Sequence, residues 1–220
     1  MIERHAHLLR KCMGRIRKAR VMVAGVGGLG STVAQLLARL DFRNIVLVDP
    51  KIVDEPDLNR QILYTREDLG KKKVEVARNR LLSINPHVQI ETIDSFIDDD
   101  FELPDVDVVV DCLDSFKSRF VLEEKVFRKG IPLVHGGVKG YGGQVTVVKP
   151  HETKSLREIF GDVEDDPAPP QVFPPIVTLI GSIQASEVVK LVCGEKEGSL
   201  MNRILVVDLS IGSFDVIYLG

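Results

Sequence analysis

An α/β fold with a doubly wound, mostly parallel sheet is predicted for this 220-residue chain by three observations. Short apolar runs at residues 21–24, 45–48 and 106–110 alternate with stretches of helical period, as parallel βαβ units do. Gly25, Gly27, Gly28 and Gly30 sit between the first run and the first helical stretch. After residue 135 a strand follows a glycine-rich segment with no crossover helix, so antiparallel strands should complete the sheet. The fold class expected is therefore Rossmann-like, with antiparallel C-terminal strands.

The elements follow in order. Residues 3–18 predict a basic N-terminal helix, 21–25 a strand, 30–41 a helix and 45–49 a second strand. Residues 54–61 form a polar loop. In 71–83, Val74, Ala77, Leu81 and Leu82 share one helical face. Asn85-Pro86 ends that helix, because the residue before proline avoids the α region. Strands are expected at 88–93, 106–110 and 132–135, with a helix over 116–129. Residues 136–143 hold five glycines and lead into a strand at 144–148. Residues 162–175 hold five prolines and four acids, which excludes a helix or inner strand and predicts a long functional loop. An apolar helix over 176–193 and a terminal hairpin, 203–208 with 214–219, finish the chain.

Composition bounds the function. Apolar residues make up 44% of the chain, enough for a sizeable core, and the net charge of −3 gives no global attraction to nucleic acid. Residues 1–20 carry seven Lys/Arg against Glu3 alone; a solvated face and an arm toward phosphates both fit. No apolar run approaches the about 18 residues of a membrane span, and no secretion signal is recognisable. Cys12, Cys112 and Cys193 are too few and scattered for a disulfide framework; Cys112 and Cys193 read as inert core thiols. Without a Cys-x-x-Cys pair no sulfur-ligated zinc is expected. His5, His7, His87, His135 and His151 show no shared ligand spacing. The chain is expected in the cytoplasm.

The glycine segment places a nucleotide. Glycines let the backbone turn and approach a phosphate, and the helix behind them offers unpaired N–H groups and a partial positive charge. Asp49 closes the next strand 24 residues after Gly25, where an acid can accept hydrogen bonds from both ribose hydroxyls. Asp57-Leu58-Asn59-Arg60-Gln61 follows; its Asn, Arg and Gln suit a triphosphate, and a capped turn is the plainer alternative. Gly70-Lys71-Lys72-Lys73 puts lysines where the helix macrodipole disfavours them, which points to an anion or to a solvated turn. Asp111 and Asp114, with Arg119 beyond, fall at a strand's carboxyl end; a carboxylate there can hold Mg²⁺ or cap the next helix.

Taken together, Gly25-x-Gly27-Gly28-x-Gly30, Asp49, Leu58-Asn59-Arg60-Gln61, Gly70-x-x-Lys73, Asn85-Pro86 and Asp111-Cys112-x-Asp114 with Arg119 resemble the ThiF/MoeB/HesA adenylyltransferases, relatives of ubiquitin-activating enzymes. The match in order and spacing covers residues 20–150, and residues 181–190 resemble the family's late helix. The resemblance implies ATP-dependent adenylation of the C-terminal glycine of a small ubiquitin-like sulfur carrier. Asp49 would then bind ribose, Asn59, Arg60, Gln61 and Lys73 the triphosphate, and Asp114 Mg²⁺. It also implies one adenylation domain: an arm at 1–19, a nucleotide-binding core at 20–135, and a carrier-binding part at 136–220 whose loop 151–175 crosses the carrier's tail. The glycines of 136–143 would pass beside a narrow Gly-Gly tail.

Three departures stand out. Ser155-Leu156-Arg157-Glu158 occupies the place of a zinc-binding cysteine pair, and loop 151–175 holds no cysteine for a covalent step. The family's N-terminal Arg-Tyr-x-Arg-Gln segment is not recognisable, so Arg4, Arg10 and Arg15 all remain candidates to reach a neighbouring subunit's nucleotide in a homodimer. Thiamin biosynthesis is the favoured setting, with molybdopterin as the other route. The alternatives are adenylation of a modified tRNA adenosine, an inactive subunit of a heterodimeric activator and, least favoured, an NAD dehydrogenase.

Overall fold

The computed structural model describes residues 3–165 and 171–220. Eight strands form one sheet in the order β3-β2-β1-β4-β5-β6-β7-β8. The strands are β1 (Arg20–Ala24), β2 (Asn44–Val48), β3 (Gln89–Ile93), β4 (Val108–Asp111), β5 (Leu133–Lys139), β6 (Gly142–Val148), β7 (Arg203–Asp208) and β8 (Ser213–Tyr218). β1 to β5 run parallel, and β5 to β8 pair antiparallel. Val21, Met22, Val23 and Ala24 are all buried, because β1 lies between β2 and β4 with helices over both faces.

The helices are α1 (Glu3–Ala6), α2 (Met13–Lys18), α3 (Gly28–Arg39), α4 (Lys73–Ile84), α5 (Phe116–Arg128), α6 (Leu156–Phe160) and α7 (Pro174–Cys193). Val33 and Leu37 of α3, Val74 and Leu81 of α4 and Ile176, Ile180 and Val188 of α7 share one core with Val21, Val23 and Val110. On the opposite face Leu122 and Val126 of α5 and Leu156 of α6 pack on Met22, Val46 and Val109. α4 ends at Asn85, whose backbone is extended as expected before Pro86.

Four expectations need correction. The single helix over 3–18 is two short ones; the backbone turns between them, and Cys12 enters α2 bonded to Cys193. That disulfide, with Cα atoms 5.3 Å apart, joins positions 181 residues distant and corrects the reading of Cys193 as an inert core thiol. α7 is long and apolar enough to cross a membrane by length and composition alone. It packs along α3, β5 and β6 with Gln184 and Glu187 fully buried, the environment of a core helix. Finally, the strand expected at 132–135 is longer, since β5 continues through Gly136 and Gly137 to Lys139.

The disulfide yields a prediction. A cross-link closing so long a loop restricts the unfolded chain and stabilises by about 2–4 kcal/mol. Reduction, or Cys12→Ser, should lower the urea midpoint of unfolding accordingly; identical midpoints with and without reductant would show that the bond contributes nothing.

Loop 151–175 contains α6, where the sequence predicts only a loop; residues 166–170 of its proline-rich part lie outside the described residues. Ser155 and Glu158 form a reciprocal capping box at its start. The buried Glu123 of α5 also accepts from the Leu156 N–H. Burial pushes the Glu123 carboxyl up to about 7, against the pull of the Leu156 and Arg157 N–H groups. An unfolded glutamate titrates near 4.5, so between these values the folded chain holds a proton that the unfolded chain lacks. Glu123 therefore costs stability as pH rises from about 4.5 to about 7. Glu123→Gln keeps the acceptor without the charge. Its advantage in melting temperature over the wild type should grow from pH 5 to pH 8; a pH-independent gap would sink the assignment.

Candidate nucleotide site

The glycine segment turns directly off β1. Gly25 has φ +86°, and its N–H donates to Val48 O at 2.8 Å, tying the turn to β2. A Cβ on Gly30 would lie 1.9 Å from Gly25 O, so no side chain fits where the first turn of α3 meets the strand end. Gly27 caps α3 without a side-chain acceptor, leaving the first N–H groups of the helix available to an anion. The loop after β2 folds over this turn: Gln61 lies over Gly27, and the Arg60 stem over Gly28, 3.7 Å from where each Cβ would be.

Asp49 is 5% exposed, and each carboxylate oxygen accepts one backbone N–H at 2.8 Å, from Val26 and from Lys51. Both oxygens retain a further lone pair, so its expected role toward ribose hydroxyls is chemically open. Tyr64 donates its hydroxyl to Val26 O at 2.7 Å and braces the same turn. Burial pushes the Tyr64 phenol far up, so it stays protonated and a donor.

Asp57 is the centre of the next group, and the sequence reading gave it no role. Its carboxylate lies 2.9 Å from the buried Lys73 ammonium and 3.7 Å from Arg60 Nη2, and it accepts from Gln61 Nε2 at 2.5 Å. Arg60 Nη1 also donates to Pro56 O at 2.8 Å and to Asn59 Oδ1 at 3.0 Å. Arg60, Gln61 and Lys73 are thus brought together, while the exposed Asn59 touches the group through Arg60. The lysines of residues 71–73 diverge: Lys72 pairs with Asp94 at 2.7 Å and Lys71 with Asp68 at 3.6 Å.

At the end of β4 the two candidate carboxylates separate by environment. Asp111 is fully buried, 2.7 Å from His135 Nδ1 and 3.6 Å from Arg119 Nε. Burial outweighs the pull of Asp111 and lowers the His135 pKa, so the imidazole is neutral and its Nδ1 carries the proton donated to the carboxylate. Cys112 is buried beside Gln184, and burial pushes its thiol well up, so it is no nucleophile. Asp114 points outward with a side chain 68% exposed, and Lys51 Nζ lies 2.6 Å from it. Burial raises its carboxyl, but the Lys51 ammonium outweighs that and holds it below the usual range. Ser115, not Asp114, caps α5.

Among the described residues no cluster of three His, Cys, Asp or Glu could hold a metal ion. One outward carboxylate suits a Mg²⁺ that arrives on a nucleotide, since Mg²⁺ keeps several waters and takes one or two protein carboxylates. The glycines of β5 serve the interior: a Cβ on Gly136 would meet Gln184 at 2.4 Å, and one on Gly137 would meet Gln144 at 2.5 Å. Interior neighbours therefore account for these two glycines. The arm is remote. A hollow of about 770 Å³ lined by Arg10, Lys11 and Arg15 lies at Cys193, the far end of α7. Val177, which packs over Gly28, is about 24 Å away at 1.5 Å per helical residue. Arg10 and Arg15 therefore lie away from the glycine turn of their own chain.

Comparison with known proteins places this geometry among relatives. The ThiF family model matches residues 5–218. A SAMP-activating enzyme E1 of Haloferax volcanii is 33% identical over 212 residues, covering 93% of this chain and 78% of that protein. A molybdopterin-synthase adenylyltransferase of Escherichia coli is 34% identical over 187 residues, covering 81% and 75%. Protein HesA of Nostoc is 32% identical over 200 residues, covering 89% and 79%. Among solved structures, E. coli MccB with MccA-N7isoASN superposes with a TM-score of 0.88 at 21% identity, over 96% of this chain and 67% of that one.

Proposed function

The chain belongs to the ThiF family and is an adenylyltransferase, and we propose that it uses ATP to adenylate the C-terminal glycine of a small ubiquitin-like sulfur carrier, releasing pyrophosphate. Sulfur transfer falls to a separate protein, and the pathway is thiamin or molybdopterin biosynthesis. The observation that carries the reading is the convergence of Arg60, Gln61 and Lys73 on one carboxylate above the uncapped start of α3. Two cations and an amide donor beside free helix N–H groups form a receptor for a polyphosphate.

The chemistry asks little acid–base work of the protein. The attacking carboxylate is already ionised, and the obstacle is repulsion between it and the phosphates. Arg60 and Lys73 neutralise that charge, and Gln61 and the N–H groups of α3 orient the chain of phosphates. Asp49 holds the ribose, fixing the α-phosphorus relative to the cations. Asp114 would hold Mg²⁺, which when bound supplies further neutralisation of the phosphate oxygens. Asp111, His135 and Arg119 form a buried ion-paired cluster at the end of the same strand.

The partner surface belongs to the antiparallel half. β8 is a free edge and leaves Phe214, Val216, Ile217 and Tyr218 exposed, an apolar strip of the kind a small partner covers. A cytoplasmic homodimer accounts for the remote arm, because Arg4, Arg10 or Arg15 then has a neighbouring site to reach.

ATP–pyrophosphate exchange with purified protein, Mg²⁺ and candidate carriers ending in Gly-Gly tests the proposal. Exchange that depends on one carrier supports it and identifies that carrier. Nucleotide binding without exchange favours the inactive-subunit reading, or the tRNA reading if salt-sensitive tRNA binding accompanies it. Failure to bind ATP overturns it.

A further inference from the structure

Lys51 has no part in the adenylation reading, yet it spans the two ends of the site. Its backbone N–H donates to Asp49 Oδ1 at 2.8 Å, while its ammonium reaches Asp114 Oδ2 at 2.6 Å, across 63 positions of sequence. Pro50 restricts the backbone between Asp49 and Lys51, so the root of the side chain is fixed to Asp49. The Lys73 N–H donates to Lys51 O at 3.0 Å, which ties the same residue to the start of α4. We propose that Lys51 is the resting counterion of Asp114: it leaves that carboxylate when the nucleotide and its divalent cation bind, and moves onto the phosphates. The inference rests on the adenylation reading.

Three features support the exchange. The pair is exposed, 53% for the Lys51 side chain and 68% for that of Asp114, so it is weakly held and easily given up. The Lys73–Asp57 pair beside it is the opposite, with a side chain only 4% exposed, and has the character of a fixed cation. Electrostatics favours the exchange as well: a divalent ion on the Asp114 carboxylate repels an ammonium held at 2.6 Å from it. The displaced ammonium stays anchored at Asp49 on a flexible four-carbon stem, within the region where the triphosphate brings its negative charge.

Equilibrium binding separates this role from simple bracing. Lys51→Met and Lys51→Arg would be titrated with ATP in EDTA by calorimetry. The ATP-saturated proteins would then be titrated with Mn²⁺, following free Mn²⁺ by electron paramagnetic resonance. In the metal-free complex the ammonium divides between Asp114 and the phosphates, so Lys51→Met should bind metal-free ATP about twofold more weakly. It should bind Mn²⁺ about twofold more tightly, because no ammonium then occupies Asp114 for part of the time. Lys51→Arg should stay near the wild type in both. A bracing residue would weaken both affinities together, and that result, or no change in either, overturns the proposal. Should the wild type bind ATP but Lys51→Met not differ from it, only the Lys51 assignment falls. Absence of ATP binding by the wild type removes the adenylation reading and this inference with it.

Discussion

Arg60→Ala should lower carrier-dependent ATP–pyrophosphate exchange by about 10²–10³-fold, the scale on which one preorganised charge-stabilising group acts. Its unfolding free energy should change by no more than about 0.5 kcal/mol. The separation follows from the contacts. Arg60 closes a short loop by donating to Pro56 O and Asn59 Oδ1, both at exposed positions where water can replace it. Asp57 loses only its 3.7 Å neighbour and keeps Lys73 and Gln61. Lys73→Ala is the poorer test, because it removes a buried ammonium and leaves Asp57 undercompensated, so lost folding would mask lost chemistry. Arg60→Lys should recover part of the rate, since an ammonium restores charge without the planar fork. A fall in kcat with little change in KM would place Arg60 on the charge that develops during transfer; a rise in KM alone would make it a binding group. Unchanged exchange in Arg60→Ala would remove it from the site.

The parallel half of the fold was legible because its signals are local. Gly25 to Gly30, the apolar runs around them and Asn85-Pro86 each act over a few residues, and the strands and helices lie within a few positions of where those residues put them. β5 was cut short because its glycines read as a loop; Gln184, from a helix 48 positions on, fills the space that makes Gly136 a strand residue. The remainder depends on distant pairs. Asp57 meets Lys73 only after the intervening loop returns, Lys51 meets Asp114 across 63 positions, and Cys12 meets Cys193 from opposite ends of the chain. No periodicity encodes such meetings. α6 is different: the S-x-x-E signature of its capping box stands in the sequence at Ser155 and Glu158, and the helix is only five residues long before the proline-rich stretch begins.

Asp114→Ala should abolish most exchange, again by about 10²–10³-fold, while the protein still binds ATP. Its carboxylate touches Lys51 and is largely exposed, so the substitution leaves the fold intact. Asp111 cannot take its place, for it lies fully buried three positions earlier with His135 and Arg119 already on it. The expected pattern is therefore a protein that binds nucleotide and no longer gains from the divalent ion. Metal-free ATP should bind at least as tightly as in the wild type, because Lys51 is released without competition. Mn²⁺ affinity of the ATP complex should fall, the opposite of its change in Lys51→Met. The double variant, Lys51→Met with Asp114→Ala, decides whether the two residues act on one another. Their effects on Mn²⁺ affinity should fail to add, since the lysine has nothing to block once the carboxylate is gone. Simple additivity would mean that the ammonium and the metal never compete for the same oxygen, and retained exchange in Asp114→Ala would take the carboxylate out of the chemistry.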